Sequence, residues 1–573
     1  MRTGYVLGVN SMWHDAAACV VSPDGEVLAA VEEERFTRNK DERRFPHSAI
    51  DYCLRTAGIT LDDVSHLGLP RQSRLYIREK LKWNLFVERG GLAVWRKDLR
   101  VISYMRRPPR LLREAFPDAK SYPRTVFVRH HTGHAASAFY VSPFERAAYF
   151  TADGMGEWET TTWGIGSGTR LQRIGGIDFP HSLGMVYWSI ARYLGLRGAE
   201  KAGKLMALAA YGAPTLADRF GQALFPTDDG EYRINYDLFD FRIRQQVSPR
   251  FAEVIGFGPR RPEEPFTQAH YDLAATVQDA VERIVLGILR RLHRTTGLRS
   301  LVMAGGVALN SVVNGKILAE TPFEEIFVQP AADDAGLALG SACYIVHQLA
   351  GKPRSYQMRS AAFGPDIEPA AVELALSAEQ DSITWERHDD IAAAVVDLLV
   401  DGAVVGWCQG RMEYGPRALG QRSILADPGR AAMRDTMNAV KSREWYRPVA
   451  PAVLEEQVTD WFDGVAHSPF MLLVGRVRPE RAAEVPAALH VDGTARVQTV
   501  NRETNPEFHR LIAEFGRRTG VPIVLNTSLN GRGEPICCTA TDAVRMFLGT
   551  KLDALAIGDF LVRRATSIPP EAP

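Results

Sequence analysis

The chain has 573 residues, which is too long for one ordinary hydrophobic core, so we expect roughly two or three domains. Its 68 basic and 68 acidic residues balance, which argues against a general nucleic-acid binder, because such proteins need a basic excess. The sequence has no apolar run of the roughly 18 residues that span a bilayer and opens without the apolar core of a signal peptide, so we predict a cytoplasmic protein.

Two strand–loop–strand hairpins with polar tips are predicted in the first third of the chain. The first joins a strand at residues 5–10 to one at 16–21 through a loop that holds His14. The second joins a strand at residues 147–152 to one at 160–165. Because the same pattern occurs twice, we expect an internally duplicated α/β fold.

A long amphipathic helix is predicted ahead of a third strand. Apolar residues recur on one face from Leu273 to Leu292, and Gly297 is placed to end the helix as its C-cap. The third strand follows at residues 301–304. This alternation of helix and strand predicts a mixed or parallel sheet.

A boundary between two domains is predicted near residues 351–355, which are rich in turn formers. Beyond it the pattern restarts with a helix near residues 391–400 and a further strand. We therefore expect a first domain over residues 1–352 and a second α/β domain over residues 353–573. Residues 70–120, rich in Arg, Lys and Trp, look like an insertion into the first domain.

Two histidines and two acidic loops indicate a cation site. His130 and His134 are four residues apart, so a helix places both imidazoles on one face, as metal ligands require. Asp153 follows a predicted strand, and Asp333 and Asp334 lie between a strand and a helix. Such a nitrogen–oxygen site suits iron, manganese or zinc, and the sequence does not rank these metals. The alternative for the histidines alone is a helix start where they only cap or pack.

Glycines next to these acidic loops indicate phosphate binding. Gly154, Gly156, Gly305 and Gly306 allow backbone N–H groups to approach phosphate oxygens closely. Hairpins at the start of each half, followed by a Gly-Gly loop, resemble the actin-like ATPase and sugar-kinase fold. In that fold the hairpins hold phosphates and the later loop holds adenosine.

Arginines flanked by Gly and Pro are concentrated in the second domain. They occur in residues 409–423, 441–448 and 526–535, and Arg496 lies between the last two segments. Guanidinium groups fixed in this way bind phosphate or carboxylate with two parallel hydrogen bonds. The alternative is surface salt bridges with nearby Glu and Asp.

Eight segments, distributed from the first strand to the last domain, carry a resemblance to a known family. They are residues 14–17, 32–38, 130–137, 203–209, 305–310, 415–420, 443–448 and 525–528. Together they resemble the O-carbamoyltransferases of nodulation and antibiotic biosynthesis, which include the tobramycin and cephem carbamoyltransferases. The resemblance covers effectively the whole chain.

The resemblance implies a fold and a reaction for each domain. The first domain is similar to the actin-like ATPase fold of the protein that transfers threonylcarbamoyl groups to tRNA, and the second resembles the YrdC fold. The second domain would join carbamate from carbamoyl phosphate to AMP from ATP. The first would then transfer the carbamoyl group to a hydroxyl. ATP and carbamoyl phosphate are thus the expected substrates, with Mg²⁺ accompanying ATP.

Carried over position by position, the resemblance assigns roles in the first domain. His130, His134, Asp153 and Asp334 correspond to metal ligands, with Fe²⁺ the expected ion and Mn²⁺ or Zn²⁺ as alternatives. His14 corresponds to the general base on the acceptor hydroxyl, a role that suits imidazole. The alternative is a loop histidine that only caps the hairpin.

Two further groups of residues correspond to nucleotide and donor contacts. Those that match nucleotide contacts in the first domain are Lys40, Asp153, Glu157, Gly306 and Asn310. Those that match the carbamoyl phosphate and ATP site in the second domain are Arg417, Lys441, Arg447, Arg496, Asn526 and Ser528.

The loop before His14 departs from the family's pattern. Residues 11–13 stand where the family has a longer loop with an acidic acceptor contact, so a cationic aminoglycoside-type acceptor is not expected. Trp13 and the Trp- and Leu-rich residues 83–105 suit a larger, less charged alcohol, such as a macrolide or polyketide. Beyond these small molecules we expect neither nucleic acid nor membrane as a partner, and a homodimer is an open alternative.

Three other functions share part of this pattern. A small-molecule kinase of the actin-like fold would use the hairpins and the Gly-Gly loop but needs no histidine pair. A nucleotide-switched binding protein of the actin or chaperone type would hydrolyse ATP slowly without carbamoyl phosphate. A metallohydrolase would use the histidine pair, and the glycine loops argue against it.

Overall fold

The chain divides into two compact units, Met1–Met358 and Arg359–Pro573, called unit 1 and unit 2 below. The computed structural model describes residues 4–12, 14–86, 92–198, 200–228, 230–241 and 246–565. Helices and sheets alternate in both units, which confirms the predicted α/β fold class. None of the described helices combines the length and the apolar composition that a membrane span needs.

Unit 1 contains two larger sheets, two small hairpins and the helices around them. Its strands are β1 (Tyr5–Asn10), β2 (Ala17–Val21), β3 (Val27–Glu32), β4 (Val64–Leu69), β5 (Arg124–Phe127), β6 (Arg146–Ala152), β7 (Glu159–Ser167), β8 (Arg170–Asp178), β9 (Leu224–Pro226), β10 (Tyr232–Ile234), β11 (Phe239–Asp240), β12 (Gln246–Val247), β13 (Ser300–Ala304) and β14 (Glu325–Val328). Its α-helices are α1 (Glu34–Thr37), α2 (His47–Thr56), α3 (Ser73–Phe86), α4 (Leu92–Arg106), α5 (Pro108–Ala115), α6 (His130–Phe139), α7 (Leu183–Tyr193), α8 (Lys201–Ala209), α9 (Ala217–Phe220), α10 (Pro249–Ile255), α11 (Gln268–Thr296), α12 (Ser311–Glu320) and α13 (Leu337–Cys343). Short 3₁₀ turns are Leu61–Asp63, Tyr236–Leu238, Gly306–Leu309 and Asp334–Gly336, and a π-helical turn is Tyr344–Leu349.

The two larger sheets of unit 1 share one topology. Their strand orders are β3-β2-β1-β4-β5 and β14-β13-β6-β7-β8. In each, three strands form an antiparallel meander and two later strands add in parallel next to the first. This repetition confirms the internal duplication that the two hairpins predict. It places the β1–β2 tip, with His14, and the β6–β7 tip, with Asp153, at equivalent positions in the two halves.

Helices α6 and α13 cross at a contact between their backbones. A Cβ added to Gly340 would overlap the carbonyl oxygen of Gly133, so Gly340 has no room for a side chain there, and a Cβ on Gly133 would lie 3.0 Å from a methyl group of Leu337. On its other side α13 packs against the first sheet, where a Cβ on Gly8 would overlap the carbonyl of Ala338. The crossing brings the start of α6 close to the turn that precedes α13.

The long helix α11 is close to its prediction. Its apolar positions, including Leu273, Val281 and Leu292, are buried, and Gly297 ends it in a left-handed conformation with φ 63°. The N–H of Gly297 donates to the carbonyl of His293, which satisfies one of the last free carbonyls of the helix. The helix begins five residues before the predicted start because Thr267 and His270 form a capping box.

Unit 2 is built on one ten-stranded mixed sheet. Its strands are β15 (Ile383–Arg387), β16 (Val405–Cys408), β17 (Arg422–Ala426), β18 (Ala450–Leu454), β19 (Phe462–Asp463), β20 (Leu473–Val477), β21 (Thr494–Val500), β22 (Ile523–Ser528), β23 (Ala554–Ile557) and β24 (Phe560–Arg564), in the order β15-β24-β23-β16-β17-β22-β18-β21-β20-β19. Its α-helices are α14 (Pro369–Ser377), α15 (Ile391–Asp401), α16 (Met433–Val440), α17 (Val458–Trp461), α18 (Pro506–Thr519) and α19 (Ala540–Leu548), with 3₁₀ turns at Glu455–Gln457 and Pro479–Glu484.

One face of the unit 2 sheet is apolar at one end and polar at the other. Helices α15 and α18 cover the apolar end, where Trp407, Phe515 and Val524 belong to one buried cluster. Because side chains alternate along a strand, Asn526 and Ser528 continue the face of Val524 beyond that cluster. The polar end of this face therefore carries predicted site residues.

Candidate metal centre and candidate anion site

Three backbone features position the predicted metal ligands of unit 1. His130 is the first residue of α6, and both carboxylate oxygens of Glu157 accept from its N–H at 3.2 Å. That carboxylate satisfies a donor that the helix start leaves free. Asp153 follows the last residue of β6, and Asp334 opens the 3₁₀ turn before α13. The four side chains thus come from three separate segments of unit 1: helix α6, the residue after β6, and the turn before α13.

The structure brings these four predicted residues together. One ligand atom from each of His130, His134, Asp153 and Asp334 lies within 4.8 Å of the other three. The two imidazole Nε2 atoms are 3.1 Å apart, and Asp153 Oδ2 is 3.2 Å from His130 Nε2 and 3.3 Å from His134 Nε2. Asp334 Oδ1 is 3.6 Å from both Nε2 atoms.

This donor set fits a divalent transition metal. Asp334 Oδ1 is buried, and no donor among the described residues hydrogen-bonds to it. A buried carboxylate oxygen without a donor is costly unless a cation neutralises it. Two imidazole nitrogens and two carboxylate oxygens converging on one point are ligands that iron, manganese and zinc accept. His130, His134, Asp153 and Asp334 are therefore the residues that would hold the ion.

The charges within the cluster are strongly interdependent. Burial lowers the pKa of His130 to about 4, whereas the hydrogen bond to Asp153 and the negative charges of Asp153 and Asp334 outweigh burial and raise the pKa of His134 to about 9. Burial alone would raise the pKa of Asp334, but His130 and His14 outweigh it and bring that pKa to about 2. Both carboxylates are thus anionic at neutral pH, as metal ligation requires.

The other carboxylate oxygen of Asp334, Oδ2, accepts a hydrogen bond from Arg71, a residue outside the cluster. Arg71 Nη2 donates to Asp334 Oδ2 at 2.8 Å, and both side chains are buried. Sequence reasoning missed Arg71, although it follows β4, which lies parallel to β1 in the sheet. The end of a parallel strand beside the His14 loop is the signal that could have found it. Arg71 leaves Asp334 Oδ1, and not Oδ2, directed at the histidine pair.

His14 lies next to the cluster. Its Nε2 is 3.8 Å from Asp334 Oδ2, and its Nδ1 is 2.8 Å from Asp15 Oδ2. Burial would lower the pKa of His14, but Asp334 and Asp15 outweigh it and raise the pKa to about 10. A general base must be neutral before it accepts a proton. His14 can therefore act as a general base only when positive charge offsets the negative charges of Asp334 and Asp15. Trp13, the preceding residue, lies outside the described residues.

Three of the residues that match nucleotide contacts in unit 1, Gly306, Asn310 and Lys40, have different neighbours. Gly306 faces Asp153, since a Cβ there would lie 3.0 Å from Asp153 Oδ1. Asn310 caps α12 by accepting from Val313 N–H at 3.2 Å. Lys40 Nζ donates to Glu34 Oε1 at 3.0 Å, in the turn after α1.

The sequence analysis missed Gln278, a side chain of α11 near these residues. Gln278 exchanges hydrogen bonds with Asn310 at 3.0 and 3.2 Å, and it also donates to Glu282, one helical turn away, at 2.7 Å. The carboxylate of Glu157, which the resemblance assigns to nucleotide binding, accepts from the N–H groups of His130 and Gln72. The contacts of Gln278 with Asn310 and of Glu157 with His130 and Gln72 join residues far apart in sequence, so no local pattern predicts them.

In unit 2 the predicted polar residues share one sheet face. Strand β18 lies between β22 and β21, with Ala450 opposite Asn526 and Ala452 opposite Gln498. Alternation puts Arg496 on the same face, two residues before Gln498. Asn526 Nδ2 donates to Gln498 Oε1 at 2.7 Å across β18, which is possible because alanine carries only a methyl group.

Further predicted residues border this face. Lys441 Nζ lies 3.1 Å from Ser528 Oγ and 2.8 Å from Asn530 Oδ1. Arg417 directly precedes Ala418, whose carbonyl accepts from Asn526 Nδ2 at 3.3 Å. The backbone carbonyl of Arg447 accepts from Asn438 Nδ2 at 3.0 Å. Four of the six predicted residues thus lie on or beside this face, namely Lys441, Arg496, Asn526 and Ser528. Arg417 is adjacent in the chain to Ala418, and the backbone of Arg447 contacts Asn438 of α16.

A buried carboxylate shapes the loop that carries Arg417. Glu413 Oε1 accepts from the N–H groups of Leu419, Gln421 and Arg422 at 2.7 to 3.1 Å. The buried guanidinium of Arg422 in turn donates to backbone carbonyls, including that of Gln409 at 3.0 Å. The sequence analysis missed both roles. Together these contacts fix the backbone of the loop between β16 and β17, in which Arg417 lies.

The fold and the two sites define a two-unit α/β protein with a candidate metal centre in one unit and a cationic polar face in the other. The family model described as "Carbamoyltransferase N-terminus" matches residues 5–343, and the model "Carbamoyltransferase C-terminus" matches residues 396–564. The chain belongs to the carbamoyltransferase family, and it is an enzyme of the transferase class.

Known relatives agree with this family. The chain is 41% identical to Nodulation protein NolNO of Sinorhizobium fredii, over 98% of this chain and 80% of that protein. It is 37% identical to 3'-hydroxymethylcephem-O-carbamoyltransferase of Streptomyces clavuligerus, over 46% of this chain and 49% of that protein. Among solved structures, HypF of T. kodakarensis matches with a TM-score of 0.32 and 13% identity, over 61% of this chain and 49% of that chain.

Proposed function

We propose that the protein is an ATP-dependent O-carbamoyltransferase that modifies the hydroxyl group of a natural product. In unit 2, carbamoyl phosphate and water give carbamate and phosphate, and carbamate then displaces pyrophosphate from ATP to form carbamoyl adenylate. In unit 1, the acceptor oxygen attacks the carbamoyl carbon, and AMP leaves with the bonding electrons. The products are the O-carbamoylated alcohol and AMP.

The first reaction is assigned to the polar face of unit 2. Carbamoyl phosphate and ATP are polyanions, and Arg417, Lys441 and Arg496 offer cationic groups around one strand end. Guanidinium groups orient phosphates through paired hydrogen bonds. These features support the proposal that the adenylate forms here.

The second reaction is assigned to the metal centre of unit 1. A divalent cation held by the two histidines and two aspartates supplies Lewis-acid stabilisation of negative charge on oxygen. His14 accepts the proton of the acceptor hydroxyl at Nε2, while Asp15 holds its Nδ1. Nitrogen donation makes a carbamate a poor acyl donor, so the adenylate provides the leaving group. Sequestering this labile anhydride from water prevents its hydrolysis.

The observation that carries the proposal is the buried donor set beside His14. Four residues that the family resemblance assigns as metal ligands converge within 4.8 Å, and Asp334, a member of the set, also lies 3.8 Å from His14. We propose Fe²⁺ as the ion, with Mn²⁺ and Zn²⁺ as the alternatives that metal analysis of the purified protein distinguishes.

Pyrophosphate release by the purified protein tests the first reaction. We expect release that requires both ATP and carbamoyl phosphate. Formation of ADP instead would indicate a small-molecule kinase, and slow hydrolysis independent of carbamoyl phosphate would indicate a nucleotide-switched binding protein. Either result contradicts the proposal.

A His14→Ala variant separates the two reactions. We expect it to keep adenylate formation, because the polar face of unit 2 is unchanged, and to lose transfer by about 100-fold or more, as for a missing general base. An Arg496→Ala variant is the matched counterpart and should lose adenylate formation first. Equal loss of both reactions in His14→Ala would contradict the assigned role.

We further propose a large, weakly charged alcohol, such as a macrolide or polyketide, as the acceptor. Trp83 of α3 contacts Trp158 and Phe179 at ring-centroid distances of 5.5 and 5.3 Å, and Trp158 lies five residues after Asp153. Trp158 and Phe179 are buried, so the partly exposed Trp83 is the ring of this cluster that we assign to contact with a largely apolar acceptor. Turnover of a polyamine sugar but not of macrolide alcohols would contradict this assignment.

A further inference from the structure

The three helices α3, α4 and α5 carry a charge that the rest of the chain balances. Residues 73–115 contain 12 Lys and Arg against 4 Asp and Glu, a net charge of +8, in a chain whose net charge is 0. The remaining residues therefore carry −8. An excess concentrated in one segment produces a local positive field, which the overall charge conceals.

Many of these cationic side chains face solvent. Arg78, Lys82 and Arg110 have 64%, 60% and 81% of their side-chain surface exposed. Further exposed basic residues in the three helices are Arg74, Arg100, Arg106, Arg107 and Arg113. Glu79 and Glu114 form ion pairs on this surface, with Arg78 at 2.6 Å and Arg110 at 2.7 Å, and the basic excess remains.

Two of the exposed large apolar residues of unit 1 lie among these charges. Leu81 is 44% exposed and Leu99 is 62% exposed, and each directly precedes a basic residue, Lys82 or Arg100. In both helices an exposed leucine is thus the chain neighbour of an exposed basic side chain. We call these eight basic residues and two leucines the basic surface.

Helix α3 has an exposed basic face and an opposite face that packs against the rest of unit 1. Arg74, Arg78, Leu81 and Lys82 follow the spacing of one helix face. Tyr76, Lys80 and Trp83 follow the opposite face, on which Trp83 packs against Trp158 and Phe179. One face of α3 is thus packed against Trp158 and Phe179, and the opposite face is exposed to solvent.

We propose that the basic surface docks the protein on an anionic lipid bilayer. Lys and Arg near such a surface are attracted by its negative potential, and interleaved leucines insert at the headgroup level. Exposed leucines gain little against the solvated phosphates of a nucleic acid, which favours lipid as the partner. The proposal departs from the expectation, stated from the sequence, that the membrane is not a partner. It stands on charge and exposure alone and does not depend on the proposed reaction.

Vesicle sedimentation with the full-length chain tests the proposal. The probes are vesicles of pure phosphatidylcholine and vesicles with about one third phosphatidylglycerol, at low and at high salt. We expect at least tenfold tighter binding to the anionic vesicles at low salt and loss of that preference at high salt. Equal affinity for both vesicle types would overturn the proposal without any variant.

A charge-reversal variant and a matched control locate the surface. Arg78→Glu, Lys82→Glu and Arg110→Glu together should weaken vesicle binding at least tenfold. The control reverses three basic residues elsewhere, at Arg250, Arg261 and Arg387, which have 68%, 83% and 70% of their side chains exposed. It changes the net charge by the same amount, so equal losses in the two variants would overturn the assignment.

A second variant distinguishes a bilayer from other polyanions. Leu81→Ser with Leu99→Ser should weaken vesicle binding at least threefold and leave binding to transfer RNA or an acidic polypeptide unchanged. Binding to either of those polyanions that is as tight as binding to vesicles, or no effect of the leucine pair on vesicles, would overturn the lipid assignment.

Discussion

Arg71 determines which oxygen of Asp334 is available to a cation. Its guanidinium occupies Oδ2 at 2.8 Å, and Oδ1 remains 3.6 Å from both imidazole Nε2 atoms. Residues that orient metal ligands through a second hydrogen bond typically contribute about ten- to hundredfold to metal affinity. Arg71 is therefore a positioning residue.

Replacing Arg71 with methionine should weaken metal binding by about tenfold or more, because Asp334 loses the contact that fixes its orientation. The measurement is competition against a chelator of known affinity, monitored by metal content and not by activity. Arg74→Met, an exposed change three residues away, is the control. Equal affinities in the two variants would contradict the positioning role.

The site residues that the sequence predicts follow local patterns, whereas the residues that the sequence analysis missed act through contacts with residues distant in the chain. His130 and His134 are predictable because a helix repeats every 3.6 residues, and Asp153 because it ends a strand pattern. Arg71 and Asp334 are 263 residues apart, and the pairing of Gln498 with Asn526 depends on the strand between them. Such contacts come from sheet order, which a single sequence does not contain.

At the scale of elements, the crossing of α6 and α13 sets the geometry of the metal centre. The two backbones touch at Gly133 and Gly340, and α6 carries both histidines while Asp334 precedes α13. The hairpins and α11 follow local patterns and are predictable. The crossing is not, because a glycine at a helix contact has the same local signature as a glycine in any turn.

A Gly340→Ala variant should lower both stability and metal affinity, because its methyl group would push α13 away from α6. We expect destabilisation of about 1–3 kcal/mol, as for other overpacked sites, measured by denaturant unfolding. Gly287→Ala is the matched control. Its Cβ would meet no atom of the described residues within 4 Å, so alanine in α11 should be neutral or stabilising. Wild-type metal affinity in Gly340→Ala would contradict the role of the crossing.

At the scale of the whole molecule, a bound cation would tie segments from three parts of unit 1. The ligands lie on α6, after β6 and before α13, so an ion that binds only the folded state stabilises all three together. A cation present at about 100 times its dissociation constant adds about 2.7 kcal/mol to the free energy of unfolding.

Removing the metal with a chelator should therefore lower the melting temperature of the purified protein, and adding it back should restore that temperature. An Asp334→Asn variant should show no such response, because it lacks one anionic ligand. Asp333→Asn, at the neighbouring residue that caps the same turn, should keep the response. A chelator response that survives in Asp334→Asn would place the cation elsewhere.

Global composition, by contrast, conceals the local charge on which the proposed bilayer contact depends. A net charge of 0 describes the chain correctly, yet it averages a +8 helical layer with a −8 remainder. The fold class was predicted from the order of helices and strands, which does not depend on the overall composition. The distribution of charge over the surface cannot be obtained from the overall composition.

The repeated topology of unit 1 has a consequence for the proposed reaction. The tip of the first hairpin carries His14, the proposed proton acceptor, and the equivalent tip of the second carries Asp153, a proposed metal ligand. Equivalent loops of the two sheets would thus contribute different chemical groups to one reaction, on a framework whose two sheets share one strand order.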